Sequence, residues 1–349
     1  MDIHEMLFDF DDLVIEPATI SPIKSRKNVN PKYSNGTYPL MTAPMDTVVS
    51  NKNYQLFSDL GIVVILPRVT SPGDYHISTD RFLSYSMDDF ESIFLKNTIT
   101  VPNGKRIYVL IDVANGHMEV LYYLAKKAKN IYGYSMCLMI GNVANPKTFT
   151  EYCKIGVDYV RIGIGNGNGC LTTVQTGVGY PMASLIEECY NIKKYNKHIE
   201  TNIVADGGFK KYSDIIKALA IGADYVMLGS IFNKSLESSG ETTRLNGEII
   251  DQYDPRTLEL FNAEIPLSKV FRGMSTKDVQ KSLGKDDLVT SEGIIKTNLV
   301  EYTLEGWTRN FDSYLRSAMS YTGKEKLRDF IGGVQLNFIT QNSFKRFDK

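Results

Sequence analysis

The chain has 349 residues, 43% of them hydrophobic, with 39 Lys+Arg against 40 Asp+Glu. That is enough apolar material for a large core, and α/β barrels run past about 250 residues as one domain. A charge balance this close to zero gives no field to attract nucleic acid or an anionic membrane surface, and no run reaches the roughly 18 apolar residues of a spanning helix. The N-terminal MDIHEMLFDFDD is acidic and lacks a long apolar run, so no signal peptide is expected, and the expected location is the cytoplasm. Cys137, Cys153, Cys170 and Cys189 form no CxxC pair and have no metal-like spacing with the four histidines. Free thiols in a reducing compartment follow.

In chain order, short apolar runs rich in Val, Ile and Leu recur at 38–45, 61–66, 106–114, 136–143, 159–165, 202–208 and 225–230. Their length and composition suit parallel strands buried on both faces. FLSYS at 82–86, followed by a helical MDDFESIF, supplies a weaker eighth. Helical patterns lie between the runs at 119–132, 145–156, 183–195 and 211–222. Alternating strand and helix predicts a closed (β/α)8 barrel, with an open doubly wound sheet as the alternative architecture. No insert of a hundred residues interrupts the units. All 349 residues are expected to form one catalytic domain, with excursions from the barrel face at 234–310 and a C-terminal helix and tail at 311–349, the helix near 310–321. Within the excursions, TRLNGEII reads as a hairpin with an Asn-Gly turn.

Polar and glycine residues gather after the strands, at Asp46, Asn115-Gly116, the loop from Gly163, Gly207-Gly208 and Gly229-Ser230. In a barrel these fall on the C-terminal face, where active sites are built. The loop GIGNGNGCLTTVQTGVGYP at 163–181 is rich in glycine, which permits positive φ and close approach of backbone to a ligand. Its amides can cradle an anion and its carbonyls can face a cation. Cys170 sits in this loop and is placed to attack an electrophilic carbon. From context alone, packing as a small hydrophobe explains Cys170 equally well, whereas Cys137, Cys153 and Cys189 are assigned to packing outright. The paired glycines of ADGG and the Gly229-Ser230 step lie on the last two strand–helix loops, the usual phosphate site of such barrels. Either pair alone is also an ordinary tight turn. Asp206 can accept hydrogen bonds from ribose hydroxyls.

Together, FDFDDLVIEP (8–17), APMDTV (43–48), DVANGH (112–117), the Cys170 loop with its TGVGYP, ADGG (205–208), VMLGS (226–230), FRGMS (271–275) and SEG (291–293) resemble the IMP dehydrogenase/GMP reductase family. The resemblance covers nearly the whole chain, and the Cys170 loop is its most specific element. It implies a barrel without a CBS insert that takes a purine nucleoside monophosphate and a nicotinamide cofactor. Cys170 would form a covalent adduct at purine C2, assisted by Thr172 and Glu292. Substrate contacts would come from Asn168, Asp206, Gly207, Gly208, Gly229, Ser230, Gly273, Met274, Ser275 and Gly293. Cofactor contacts would come from Ser25, Arg26, Asp112, Val113, Ala114, Ile164, Gly165, Ser317 and Ser320. The carbonyls of Gly165, Gly167 and Cys170 are the candidate K+ ligands, and the implied assembly is a homotetramer.

The reductase branch is the closer match. DVANGH resembles that branch's DVANGY, and IKSRKNV at 23–29 resembles its N-terminal motif. The short stretch between FRGMS and SEG carries no Arg-Tyr pair to activate water for hydrolysis. The implied reaction is NADPH-dependent reductive deamination of GMP to IMP, with NADH the alternative cofactor. Four positions depart from the pattern. Asn168 stands for the phosphate-binding serine, Leu171 for a threonine, Val289 for the reductase arginine, and PRVT (67–70) for an HKHY-like segment with a cofactor-binding lysine. Two of these changes remove a positive charge or hydrogen-bond donors. The alternatives are a reductase acting on a modified or deoxy purine nucleotide, an IMP dehydrogenase using NAD, and a non-catalytic nucleotide-binding regulator.

Overall fold

Eight short strands close on themselves in the computed structural model, which describes residues 6–68, 77–97, 99–273, 276, 281 and 293–347. A strand β1 (Leu13–Ile15) precedes them. The barrel strands are β2 (Leu40–Thr42), β3 (Ile65–Leu66), β4 (Phe82–Tyr85), β5 (Ile107–Asp112), β6 (Met136–Val143), β7 (Tyr159–Ile162), β8 (Asn202–Asp206) and β9 (Tyr225–Leu228). They pair in parallel in the order β2-β9-β8-β7-β6-β5-β4-β3. The ring closes where Met41 bridges Val63, with Val63 N–H donating to Leu40 O and Thr42 N–H to Val63 O, both at 3.0 Å. An open doubly wound sheet would leave β2 and β3 as edges, so the (β/α)8 barrel is the architecture. Every residue of β2, β3 and β9 is buried, as expected where helices cover the outside and side chains fill the inside.

The intervening helices sit where the periodicity placed them, at α3 (Glu119–Tyr132), α4 (Pro146–Lys154), α6 (Met182–Tyr195) and α7 (Tyr212–Ile221). On α3 the stripe Leu121, Ala125, Ala128, Tyr132 is buried against the barrel, one face of a 3.6-residue period. The weak unit is real too: β4 leads into α2 (Met87–Phe90), whose cap is Ser86 accepting from Asp89 N–H.

After β9 a sheet that the sequence showed only in part lies beside the barrel. The Asn-Gly hairpin is present as β10 (Thr242–Arg244) and β11 (Ile249–Ile250). It joins β12 (Leu267–Arg272) and β13 (Ile295–Leu299) in the order β11-β10-β12-β13. Helix Leu304–Tyr321 starts earlier than the expected 310, because Thr303 caps Gly306 N–H and the buried stripe already includes Leu304, Trp307 and Thr308. Near the two ends of the chain, β1 pairs with β14 (Leu336–Phe338), which was not anticipated. Among the described residues, no helix is long and apolar enough to cross a membrane.

Strand alternation fixes what the barrel interior contains. Leu110, Cys137, Met139, Val204, Tyr225 and Met227 form an inner cluster, with Tyr108 and Tyr159 packed against it. Two residues further along the same strands, on the same face, come Asp112, Arg161 and Asp206. The interior is therefore apolar through its lower layers and charged at its C-terminal mouth.

Candidate active site

A cavity of about 560 Å³ opens at that mouth, lined by the ends of β2–β9 and the loops that follow them. Its volume lies within the roughly 300–1,000 Å³ usual for ligand sites. Its lining includes Met45, Asn168, Cys170, Thr172, Gly207-Gly208, Gly229-Ser230 and Gly273, together with Arg68, Ser86–Asp88, Asp112–Ala114 and Asn142. Ile164 and Gly165 line it as well. Every described residue expected to touch substrate therefore lines this cavity, except Gly293.

Gly293 is adjacent all the same. It forms an antiparallel bridge with Cys170, and Ile294 N–H donates to Gly169 O at 3.0 Å. Gly273 N–H donates to Ile294 O at 3.0 Å, so the two ends of the segment 273–293 both flank the cysteine loop. Met274, Ser275, Val289 and Glu292 lie outside the described residues.

Cys170 Sγ is 3.2 Å from Thr172 Oγ1, a contact in which either atom can donate. Cys170 N–H donates to Gly167 O at 2.9 Å, which turns the loop back on itself below the thiol. The backbone can pass this closely only without side chains. A Cβ on Gly207 would sit 2.9 Å from Gly167 N, and Gly207 has φ of +94°. A Cβ on Gly165 would lie 1.7 Å from Thr173 Oγ1. The other cysteines are excluded as nucleophiles by burial, which pushes the Cys137 thiol up to about 12 and Cys153 to about 11, and Cys189 well above its usual range.

The same lining holds a charged network that sequence reasoning missed. Arg161 Nη1 donates to Asp112 Oδ1 at 2.6 Å and Nη2 to Asp206 Oδ2 at 2.8 Å. Asn142 Nδ2 donates to the same Asp206 oxygen at 2.7 Å and to Gly163 O at 2.9 Å. Asp206 Oδ2 is thus fully used in holding the carboxylate, and Oδ1 is left to accept from a ligand. The available signal was an arginine inside the otherwise apolar strand YVRI, since a charge in a buried strand must be paired.

Arg68 corrects one expectation. PRVT lacks the family's lysine, but its arginine reaches the cavity and restores the cation, with Nε 3.4 Å from Asp112 Oδ2. Ser25, Arg26, Ser317 and Ser320 do not line the cavity. They gather elsewhere, where the turn Arg26–Asn28 packs against helix Leu304–Tyr321 and Ser21 Oγ donates to Ser320 O at 2.7 Å. Ser25 caps that turn by accepting from Lys27 N–H, and both Ser25 and Arg26 are exposed. No group of three or more His, Cys, Asp or Glu suited to a metal occurs among the described residues; the candidate K+ ligands are carbonyls of a different kind, and the Gly167 carbonyl already accepts Cys170 N–H.

Comparison with known proteins agrees with this geometry. Residues 101–347 match the model described as "IMP dehydrogenase / GMP reductase domain". A Buchnera aphidicola protein named GMP reductase, from the pea-aphid strain Tuc7, is 30% identical, covering 98% of this chain and 99% of its own length. GMP reductase 1 of Mus musculus is 28% identical over 97% of this chain and 96% of its own, and the GMP reductase of Phytophthora infestans is 26% identical over 93% and 88%. With a cysteine loop, paired glycine loops and a family match that spans most of the barrel, the chain belongs to the IMP dehydrogenase/GMP reductase family.

Proposed function

We propose that this chain is a GMP reductase, converting GMP, NADPH and protons to IMP, NADP+ and ammonium, with all 349 residues working as one catalytic unit. The observation that carries this reading is the 3.2 Å contact between Cys170 Sγ and Thr172 Oγ1 at the mouth of a purine-sized cavity. The named relatives support the reductase over the dehydrogenase.

The residues divide the work as follows. Gly207-Gly208 and Gly229-Ser230 present amides to the nucleotide phosphate. Asn168, in place of a serine, contributes its amide to the same grip. Asp206 holds a ribose hydroxyl through Oδ1, with its other oxygen fixed by Arg161 and Asn142. Cys170 adds to purine C2 as the thiolate, forming an S–C2 bond. Thr172, in contact with that sulfur, passes a proton to the departing 2-amino group with Glu292, and the C2–N bond breaks. The half of the cavity around Arg68 and Asp112, with Val113, Ala114, Ile164 and Gly165, fits the nicotinamide end of a dinucleotide, since it offers backbone polar groups and a charged pair beside apolar side chains. NADPH supplies a hydride to C2 when bound there, and release of Cys170 then gives IMP.

The test is a steady-state assay at the nicotinamide absorbance band with GMP, dGMP or XMP and either reduced dinucleotide, and with NAD and IMP in the other direction. Oxidation of NADPH with GMP, forming IMP and ammonia, supports the proposal. Cys170→Ala should abolish turnover. Thr172→Val should lower kcat by about 10²–10⁴-fold. Absorbance gained only with NAD and IMP would replace the proposal with a dehydrogenase, and turnover of dGMP over GMP would shift the substrate. K+ against the carbonyls of Gly165, Gly167 and Cys170 remains part of the proposal; equal rates in K+ and in a large organic cation would remove it.

A further inference from the structure

The cavity is lined by five charged side chains among the described residues: Arg68, Asp88, Asp112, Arg161 and Asp206. Asp88 is exposed at the rim, where water screens it. The other four are largely withdrawn from solvent, with side chains 21%, 11%, 7% and 15% exposed in that order. Two are positive and two negative, so the buried set is close to neutral.

The two cations are held differently. Arg161 is committed, with one Nη donating to Asp112 and the other to Asp206. Arg68 touches the set only through the 3.4 Å approach of its Nε to Asp112 Oδ2, an ion pair too poorly aligned for a hydrogen bond. Arg161 therefore bridges the two carboxylates through hydrogen bonds, whereas Arg68 adds its charge through a single, longer ion pair with Asp112. Removing Arg68 changes the sum from neutral to one net negative charge while the Asp112–Arg161–Asp206 bridge stays intact.

That sum matters because of what the cavity receives on the reading proposed above. The reduced and oxidised nicotinamide dinucleotides have the same phosphates and the same sugars. Their difference at the reactive end is one charge: the dihydronicotinamide ring is neutral and the oxidised ring is cationic. A site with net negative charge holds the cationic ring more tightly, and a neutral site gives up that advantage. We infer that Arg68 is a specificity-determining residue that sets the cavity's preference for the reduced over the oxidised nicotinamide dinucleotide by cancelling the second carboxylate charge. In this role it biases the site toward reduction and hastens release of the oxidised product. The inference rests on the assignment of the Arg68–Asp112 half to the nicotinamide end.

Equilibrium binding tests it without turnover. Titrations of the intact protein with NADPH alone and with NADP+ alone give the ratio Kd(NADP+)/Kd(NADPH). A unit charge acting across about 8 Å at an effective dielectric of about 30 changes that ratio by roughly tenfold. Arg68→Gln should lower the ratio by about that factor, through tighter NADP+ binding. Arg68→Lys, which keeps the charge, should leave it near wild type. Asp112→Asn, which removes a negative charge, should move it in the opposite direction and raise it. Thermal melts of each variant identify any that fails to fold, and the opposite-sign pair keeps a result available if one does.

An unchanged ratio in Arg68→Gln with both dinucleotides bound would overturn the inference while leaving the GMP reductase assignment standing. So would equal weakening of both dinucleotides, or movement of Arg68→Gln and Asp112→Asn in the same direction. If wild type binds neither dinucleotide, the assignment of the cavity half is wrong and the inference goes with it.

Discussion

Arg161 carries a full charge where only 7% of its side chain meets water. A buried guanidinium in that position is stable only because Asp112 and Asp206 each take one of its amino groups. Replacing it with methionine would leave two carboxylates facing each other across the barrel mouth. Arg161→Met should therefore cost about 3–5 kcal/mol of unfolding free energy, measured by urea denaturation. A loss below about 1 kcal/mol would mean that water already solvates the pair. The same scale shows how far sequence alone reaches. Cys170 was legible as a candidate from its place in the glycine loop, whereas Thr172 was named through the family resemblance. Arg161 was legible in principle, since an unpaired charge does not survive in a parallel strand. Arg68 was not, because comparison by motif recorded a missing lysine. The cation that restores the charge comes from the same four residues but can be seen only where its side chain ends.

At the scale of elements, the loops after β5 and β6 act as one piece. Gly116 N–H donates to Asn142 O at 2.7 Å, and Tyr152 Oη donates to Gly116 O at 2.8 Å. His117 closes the pair. Its Nε2 accepts Ala144 N–H at 3.0 Å, so the neutral ring carries its proton on Nδ1, which meets Thr148 Oγ1 at 3.0 Å. A protonated ring would set two donors, Nε2–H and Ala144 N–H, against each other. Burial also holds the His117 pKa below the ordinary histidine value. A histidine pKa lowered in the folded state means that the unfolded chain binds more protons between the two values. The contribution of His117 is then complete above about pH 6.5 and is lost as pH falls through the lower folded pKa. Melting temperature should fall across that range in wild type and more shallowly in His117→Phe. Parallel curves for the two proteins would remove His117 as the source. Because Val113 and Ala114 lie on the same loop and Asp112 at the strand end it leaves, the variant should also raise KM for the dinucleotide more than it lowers kcat. The helices and strands flanking these loops were legible from periodicity, but the clip was not, since a lone histidine has no pattern.

At the scale of the whole molecule, the expected site residues fall into two places. The cysteine loop, the paired-glycine loops and the Arg68–Asp112 pair share one cavity, while Ser25, Arg26, Ser317 and Ser320 gather away from it, by helix Leu304–Tyr321. The sequence brought both groups into one list because motifs carry no coordinates. The barrel order was readable in the strand–helix alternation, but of the sheet β11-β10-β12-β13 only the β10–β11 hairpin was, because β12 and β13 lie far from it and from each other in sequence. In the homotetramer that the family resemblance implies, a neighbouring copy would bring the second group to a dinucleotide in the cavity. Most homo-oligomers are closed and symmetric, so each copy would give its surface to a neighbour and receive one in return. A complementation experiment separates this from a single-chain site. Arg26→Ala should weaken NADPH binding and Cys170→Ala should abolish turnover, each in every site of its own oligomer. Refolded together in equal amounts, they would place an intact cysteine beside an intact arginine in about a quarter of sites if subunits assort at random. Activity at low NADPH should then rise above that of either variant alone toward about a quarter of wild type. Activity that stays at half that of Arg26→Ala, with mixed oligomers demonstrated by mass, would place Arg26 and Cys170 in the same subunit's site or leave Arg26 outside it.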